Sequence, residues 1–274
     1  MEKYRPTLLQ GGNPMSALDL NCMLGRWPFR KLRHSNTEDL LNTHRINRIT
    51  GGCISSLDSV FYNDPYEGDE DLAEILKDMP GYVHIQSVNP ILSFTVDDVI
   101  KGAESLGTKG VKIYPCYHQY DFDAPELEPL FRFCEEKDIP VFVQLRMEDY
   151  RADYLVLQKQ FGAKDIQALL EKYPNNRFVL LTARLNEIQA LAPVINESDK
   201  VLFDTSGLKD GLFSVEAVVE KIGTDKLAYG SMYPLFCLKS TLLLVEKAQL
   251  TEAEKKKILF ENAESFLGKS FFGR

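Results

Sequence analysis

Cysteine is scarce in this sequence, and the few cysteines present are scattered. They number 5, an odd count, and no two of them form a C-x-x-C pair. We therefore expect neither a disulfide framework nor a zinc ribbon, and a reducing compartment is favoured. The cysteines are Cys22, Cys53, Cys116, Cys134 and Cys237.

Long apolar runs are also lacking. No stretch reaches the roughly 18 apolar residues that a membrane span requires. The opening segment, MEKYRPTLLQGGNP, has no apolar run of the kind found in signal peptides. We predict a cytoplasmic protein that does not bind membranes, in which residues 1–15 form an N-terminal arm.

Positive charge is in deficit. The chain has 32 Lys and Arg residues against 40 Asp and Glu residues, which gives a formal net charge of −8. A general nucleic-acid binder needs a surplus of basic residues to replace the counterions on phosphate, so we predict no nucleic-acid partner. A small anionic ligand remains compatible with this charge, because local charge can oppose net charge.

Short apolar runs alternate with amphipathic segments along the whole chain. Eight uninterrupted units of this kind predict a single (β/α)₈ TIM barrel over residues 16–274. An open doubly wound sheet is the alternative, but it usually carries a glycine-rich phosphate loop after its first strand, and NCMLGRWPF is not one. The predicted strands are ALDLNCML from Ala17, ITGGCISSL from Ile49, YVHIQSV from Tyr82, GVKIYP from Gly110, PVFVQL from Pro140, RFVLLT from Arg177, VLFDTS from Val201 and LAYGSM from Leu227.

Helical patterns fill the intervals between these runs. DEDLAEILKDM, from Asp69, has apolar residues at helical spacing. PELEPLFRFCEEKD begins with Pro125, which suits the start of a helix. TEAEKKKILFENAESFL begins with Thr251 and has Glu254 three positions later, which predicts a capping box.

Several motifs in order resemble those of the amidohydrolase-related family, in the branch that includes aminocarboxymuconate semialdehyde decarboxylase and related hydrolases. The most specific is GVKIYPCYHQYDFDAPELEPLFRFCEEKDIPVFVQ, and SVNP, FDTSG, YGSMYP and NAESFLG follow the same family order. The resemblance extends from about Ala17 to Gly268 and implies a barrel that acts on small carboxylates.

The metal-binding positions of that family are replaced in this chain. Members with a metal begin with Asp-x-His-x-His, whereas the sequence here is Asp19-Leu20-Asn21-Cys22-Met23. The resemblance further implies that the strand 5 and strand 6 histidines and the strand 8 aspartate are lost. Amide and thioether groups are poor zinc ligands, and methionine cannot accept a proton, so we expect no metal and no other cofactor. The replaced positions are Asn21, Met23, Gln144, Thr182 and Met232.

Strand alternation predicts which side chains point into the mouth of the barrel, where the active sites of such barrels lie. Polar residues dominate this set, which favours a ligand pocket; the alternative is a solvated mouth that binds nothing. The predicted inward set is Asn21, Met23, Lys112, Tyr114, Gln144, Arg146, Thr182, Arg184, Asp204, Ser206 and Met232.

Basic residues cluster at the same predicted mouth, and arginine binds carboxylate and phosphate through two parallel hydrogen bonds. They predict a small anionic partner, a carboxylate or a phosphate; structural pairing with Asp19, Asp58 or Asp204 is the alternative. The basic residues are Arg26, Arg30, Lys112, Arg146 and Arg184.

Two function hypotheses follow. The first is a metal-independent hydrolase, decarboxylase or lactonase that acts on a small carboxylate-bearing molecule. In it, Lys112 and Tyr114 act as electrophilic donors, and His118 or Asp204 accepts a proton. The family includes metal-free lactonases, but those keep the strand 8 aspartate, which is Met232 here. The second is an inactive barrel that binds a small anion or a partner protein. Either hypothesis is compatible with a homodimer.

Overall fold

Eight parallel strands follow one another around one sheet in chain order. The computed structural model describes residues 15–33, 35–92, 95–148 and 157–273. The predicted adjacency of the fourth and fifth strands is confirmed, since Val111 pairs with Val141. The backbone also joins the two ends of the sheet, because the Leu20 amide donates to the carbonyl oxygen of Tyr229 at 3.0 Å. The predicted (β/α)₈ barrel is therefore confirmed.

The strands lie where the apolar runs predict them, although β2 and the last five strands are shorter than predicted. β4 stops early because Pro115, which has no amide hydrogen, begins a short helix. β8 is followed by Met232, whose φ of 55° is incompatible with a strand. The bounds are β1 Ala17–Leu24, β2 Ile49–Ser56, β3 Tyr82–Val88, β4 Gly110–Ile113, β5 Val141–Gln144, β6 Phe178–Leu181, β7 Val201–Asp204 and β8 Leu227–Ala228.

Helices cover the outside of the barrel between the strands. In the described residues, the α-helices are α1 Thr37–Ile46, α2 Pro65–Leu76, α3 Val96–Lys101, α4 Pro115–His118, α5 Leu127–Glu136, α6 Ala163–Lys172, α7 Leu185–Ile195, α8 Ser214–Ile222, α9 Leu238–Glu246, α10 Glu252–Lys256 and α11 Asn262–Leu267. Short π-helical turns at Gly102–Leu106 and Lys257–Glu261 extend α3 and join α10 to α11.

Helix starts follow local capping chemistry. α2 begins four residues before the predicted Asp69, because Asp64 accepts a hydrogen bond from the Tyr66 amide at 3.0 Å and Pro65 occupies the first turn. The capping box predicted from Thr251 and Glu254 is confirmed. The single helix predicted after it is instead interrupted by the π-helical turn.

Two apolar layers form the core. One fills the barrel, where Leu20, Phe142 and Leu202 from well-separated strands belong to the same buried cluster. Phe271 and Phe272 join this cluster from the C-terminal end, and Lys109, just before β4, donates to the Phe271 carbonyl at 2.8 Å. The other layer lies between the strands and the helices. Polar side chains, rather than these apolar layers, occupy the carboxyl ends of the strands.

Some sequence expectations concern features other than the barrel. Residues 1–14 of the predicted arm lie outside the described residues. Within the part of the chain that is described, no helix is both long enough and apolar enough to cross a membrane. All five cysteines are unpaired, and only Cys237 is exposed.

Phe131 tests the outer layer, because its ring is fully buried and meets Phe178 of β6 edge-on at 5.6 Å. We expect Phe131→Ala to lower the free energy of unfolding by about 3–5 kcal/mol through lost contacts and a residual cavity. Leu212→Ala is the control, since Leu212 is 90% exposed and should change stability by no more than about 0.5 kcal/mol. Guanidinium unfolding measures both, and equal losses would contradict this packing.

Candidate functional site

Three polar side chains from strands that are not neighbours meet inside the barrel. Lys112 of β4 donates from Nζ to Asn21 Oδ1 at 3.0 Å, and Asn21 of β1 donates from Nδ2 to Asp204 Oδ2 at 2.9 Å. Since β1, β4 and β7 do not pair with one another, these bonds cross the barrel interior. All three residues are at most 2% exposed. With Ser55 and Ser206, which bond to them directly, we call them the interior network.

Asp204 is the acidic member of the interior network. Its Oδ1 accepts from the Thr182 amide at 2.7 Å, and its Oδ2 accepts from Ser206 Oγ at 2.6 Å as well as from Asn21. Burial raises the pKa of the Asp204 carboxyl, and these hydrogen bonds oppose the rise. The carboxyl is thus held in one orientation, with a pKa above its ordinary value.

Lys112 is the basic member. Its Nζ makes a second hydrogen bond, to Ser55 Oγ at 3.2 Å. Burial lowers the pKa of Lys112 to about 8, while the nearby Asp204 partly opposes the shift. A lysine with this pKa exchanges its proton near physiological pH, as a general acid or base must.

Tyr114 lies beside Lys112, whose Nζ is 5.4 Å from the centroid of its ring. The hydroxyls of Tyr114 and Ser87 are hydrogen-bonded at 3.2 Å. Burial raises the pKa of Tyr114 well above its usual range, so the phenol stays protonated. It can donate a hydrogen bond, as its predicted role requires, but it cannot act as a base at neutral pH.

Gln144 extends the polar interior on the side of β5 and β6. Its Nε2 donates to the Arg146 carbonyl at 2.6 Å and to Thr182 Oγ1 at 3.2 Å. Its Oε1 is buried and accepts no hydrogen bond from any described residue. The strand 5 position of the family motif therefore presents an unused acceptor rather than a metal-binding nitrogen.

Arg146 is already paired in this structure. Its guanidinium forms a two-pronged ion pair with Glu187 of α7, with Nη1 at 2.9 Å from Oε2 and Nη2 bound to Oε1. Nη2 also donates to the Phe161 carbonyl at 2.8 Å. Both side chains are at most 7% exposed. For Arg146, the geometry matches the structural alternative; its predicted role as an anion clamp would require Glu187 to release it.

A crevice of about 20 Å³ opens between the ends of β5, β6 and β7. Such a volume holds about one water molecule. Three basic and two acidic side chains line the crevice, so these groups alone leave it with one net positive charge. Glu187, which pairs with Arg146, removes that remaining charge. As described, this part of the mouth is too small for a dicarboxylate. The charged lining residues are Arg146, Arg184, Lys209, Glu148 and Asp210.

The arginines after β1 lie apart from the interior network. Arg26 is exposed and pairs with Asp58 at 3.1 Å, as the structural alternative for this residue supposes. Arg30 donates to the Leu235 carbonyl at 3.1 Å and lies 3.5 Å from Glu148, at the edge of the crevice.

The methionines at two of the replaced motif positions are fully buried. The amide of Met232 donates to the Asn21 carbonyl at 2.7 Å, and that of Met23 donates to the Tyr233 carbonyl at 2.8 Å. Their backbones thus help to close the barrel next to the interior network.

His118 is half-buried beside the barrel mouth. Its Nε2 is 2.9 Å from the Val60 carbonyl, and its ring packs edge-on against Tyr114 at 5.7 Å. Burial lowers the pKa of His118, so the ring is neutral at physiological pH. Within the described residues, no hydrogen bond connects it to the interior network. Of the two predicted proton acceptors, the structure therefore brings only Asp204 to Lys112.

Sequence reasoning missed residues that complete the site. Ser55 lies in β2, and its inward direction could have been read from strand alternation. Glu187 is 41 positions from Arg146 on a helix behind the strands, and no local pattern connects the two. A cavity of about 290 Å³ beside the end of β3 was also missed; Ser87 lines it, but Asp64 and Asp98 make it unsuited to an anion.

The model of a protein family described as amidohydrolase matches residues 62–269. This chain belongs to the amidohydrolase family. The match begins after β1 and β2, so the strand 1 motif of this chain lies outside the matched segment. No curated protein is similar enough in sequence to count as a match.

Solved structures with the same fold include decarboxylases, one of them with bound manganese. A dihydroxybenzoic acid decarboxylase from Polaromonas sp. JS666, with bound manganese and 2-nitroresorcinol, has 14% identity and a TM-score of 0.73 over 92% of this chain and 97% of that one. A 5-carboxyvanillate decarboxylase from Sphingomonas paucimobilis has 12% identity and a TM-score of 0.71 over 92% and 99%. A 2,6-dihydroxybenzoate decarboxylase in complex with its substrate has 15% identity and a TM-score of 0.70 over 93% and 99%.

The interior network does not fit a manganese or zinc ion. Asn21 Oδ1, the only donor atom that Asn21 could offer a metal, already accepts from the Lys112 ammonium. A dication there would face that fixed positive charge, and Asp204 is the only carboxylate of the network. The interior network thus has the arrangement of a site organised around an ammonium.

The Arg146–Glu187 pair can be tested with a double-mutant cycle. We expect Arg146→Met or Glu187→Leu alone to lower the free energy of unfolding by about 3–5 kcal/mol, because each leaves a buried charge without its partner. The double variant should lose less than the sum of the two. Glu128→Ala, which breaks an exposed pair with Arg132, should leave stability nearly unchanged. Additive losses would contradict the pairing.

Lys112 gives the stability of this chain a distinctive pH dependence. Between about pH 8 and 10.5 the folded chain has released the Lys112 proton while the unfolded chain still holds it. The unfolded state then binds more protons, so stability rises with pH in this window. We expect the unfolding free energy of the wild type to rise relative to Lys112→Met by up to about 1.4 kcal/mol per pH unit. Parallel curves would show that Lys112 has an ordinary pKa.

Proposed function

We propose that this amidohydrolase is a metal-independent decarboxylase or hydrolase of a small carboxylate-bearing molecule. The observation that carries the proposal is the buried Lys112 ammonium, which is linked through Asn21 to Asp204 inside the barrel. The solved neighbours named above add support, because they are decarboxylases of dihydroxybenzoates.

Decarboxylation suits a lysine with a pKa of about 8. In an aromatic substrate, the bond between a ring carbon and the carboxylate breaks. CO₂ leaves, and the electron pair stays on the ring carbon. Lys112 delivers a proton to that carbon and becomes a neutral amine, which regains a proton from water. The Tyr114 hydroxyl donates a hydrogen bond to the developing negative charge. In the hydrolytic version, Asp204 would instead accept a proton from the attacking water.

In this proposal, Arg146 and Arg184 bind the carboxylate of the substrate. The small crevice beside Arg146 and Arg184 widens when Glu187 gives up the Arg146 side chain. The substrate's carboxylate then takes the place of the Glu187 carboxylate. A cytoplasmic location belongs to the same proposal, and the unpaired cysteines support it.

A specific observation favours the second candidate, an inactive barrel that binds a small anion or a partner protein. The charged groups of the mouth bind one another: Lys112 and Asp204 through Asn21, and Arg146 through Glu187. A site with this degree of internal pairing is stable without any substrate.

Turnover of 2-hydroxybenzoates and small lactones separates the two candidates. We expect turnover that survives dialysis against a chelator and is not raised by Mn²⁺. Lys112→Met should lower kcat/KM by about 10²–10⁴-fold, the usual contribution of a general acid. Lys164→Met, an exposed change, is the matched control.

Three outcomes would count against the enzyme. They are activity that depends on Mn²⁺, an unchanged rate in Lys112→Met, and no turnover of any substrate. Absent turnover, together with thermal stabilisation by citrate or phosphate that Arg146→Ala abolishes, would instead establish the inactive anion-binding barrel.

A further inference from the structure

A second cluster of metal-binding residue types lies where β1 meets α1. It consists of Asp19 and Cys22 of β1 and His44 of α1, and one donor atom from each lies within 4.8 Å of the others. All three residues are at most 1% exposed. The interior network uses none of the three side chains. Carboxylate, thiolate and imidazole are the donors that hold zinc in proteins.

The geometry of β1 brings the two strand residues together. Residues three positions apart in a regular strand point to opposite sides of the sheet. The pairing of β1 with β2 shifts register between Asp19 and Cys22, so the strand is irregular between them. This irregularity lets the carboxylate and the thiol approach the same imidazole.

His44 presents a free nitrogen to the cluster. Its Nδ1 is hydrogen-bonded to the Tyr82 hydroxyl at 2.8 Å, and the two rings stack at 5.7 Å. Its Nε2 is buried, makes no hydrogen bond with any residue that the structure describes, and lies 3.5 Å from Asp19 Oδ2. A metal-binding histidine characteristically has its other ring nitrogen engaged in this way, which fixes the direction of the ring.

Asp19 is held by the closing turn of the barrel. Its Oδ1 accepts from the amides of Asn21 at 3.0 Å and Ser231 at 2.9 Å, and its Oδ2 accepts from Ser231 Oγ. Such outer contacts orient a metal-binding carboxylate. Neighbouring groups therefore fix the orientation of both the Asp19 carboxylate and the His44 imidazole.

We propose that Asp19, Cys22 and His44 supply three of the four ligands of a zinc ion that ties α1 to the barrel wall, with a water molecule as the fourth. Zinc bonds of about 2.0–2.3 Å place ligand atoms about 3–4 Å apart, so the cluster needs to contract by only about 1 Å. On binding, the Cys22 thiol releases its proton and gives up its hydrogen bond to the Cys53 carbonyl. Because all three side chains are buried, the ion enters as the chain folds.

Cobalt replaces zinc in such sites and reports a bound thiolate. We would express the full chain in minimal medium with added Co²⁺, purify it without chelator, and measure cobalt content and the near-ultraviolet absorption spectrum. We expect about one cobalt per chain and a thiolate-to-cobalt charge-transfer band. The interior network contains no thiol, so this band distinguishes the new site from any metal at the barrel mouth.

Cys22→Ser should remove both the metal and the band, whereas Cys134→Ser, an equally buried thiol in α5, should keep them. His44→Gln is the second variant, in case Cys22→Ser fails to fold. Wild-type protein without cobalt, or cobalt without the band, would overturn the proposal whatever the variants do. Metal retained by Cys22→Ser would overturn it as well.

Discussion

The placement of one ammonium group inside a barrel constrains the rest of the site. A buried charge persists only where partners replace its water, and Lys112 has Asn21 and Ser55 for that purpose. Asn21 can serve Lys112 because Asp204 takes the amide hydrogen on its other side. Asp204 is positioned in turn by the Thr182 amide and Ser206. The polar interior is therefore one cooperative arrangement in which each group fixes the next.

The pattern of apolar runs predicted the barrel architecture correctly. Buried parallel strands are read as short apolar runs, and the eight runs named from the sequence correspond to β1–β8. Strand ends were less predictable because they depend on backbone detail, such as the positive φ of Met232. The irregularity in β1 lay beyond sequence reasoning, since it exists only in the pairing with β2.

The candidate site was predictable in composition but not in pairing. Strand alternation correctly predicted that Lys112, Asn21 and Asp204 all point into the barrel. It could not show that Arg146 is paired with Glu187, because that contact depends on how α7 packs behind β6. His118 was selected for its chemistry and its position after β4. Its backbone partner, Val60, ends the short 3-10 helix Asp58–Val60, which no sequence motif connects to His118.

The hydrogen bond between Lys112 and Asn21 makes the effect of a substitution at either position depend on the other. A histidine at position 21 would offer a metal-binding nitrogen, but it would take away the amide oxygen that accepts from the Lys112 ammonium. Loss of Lys112 alone would leave Asn21 and Asp204 with an unmet acceptor and an unbalanced charge. Substitutions at positions 21 and 112 are therefore expected to have non-additive effects on stability, a case of epistasis between two facing side chains.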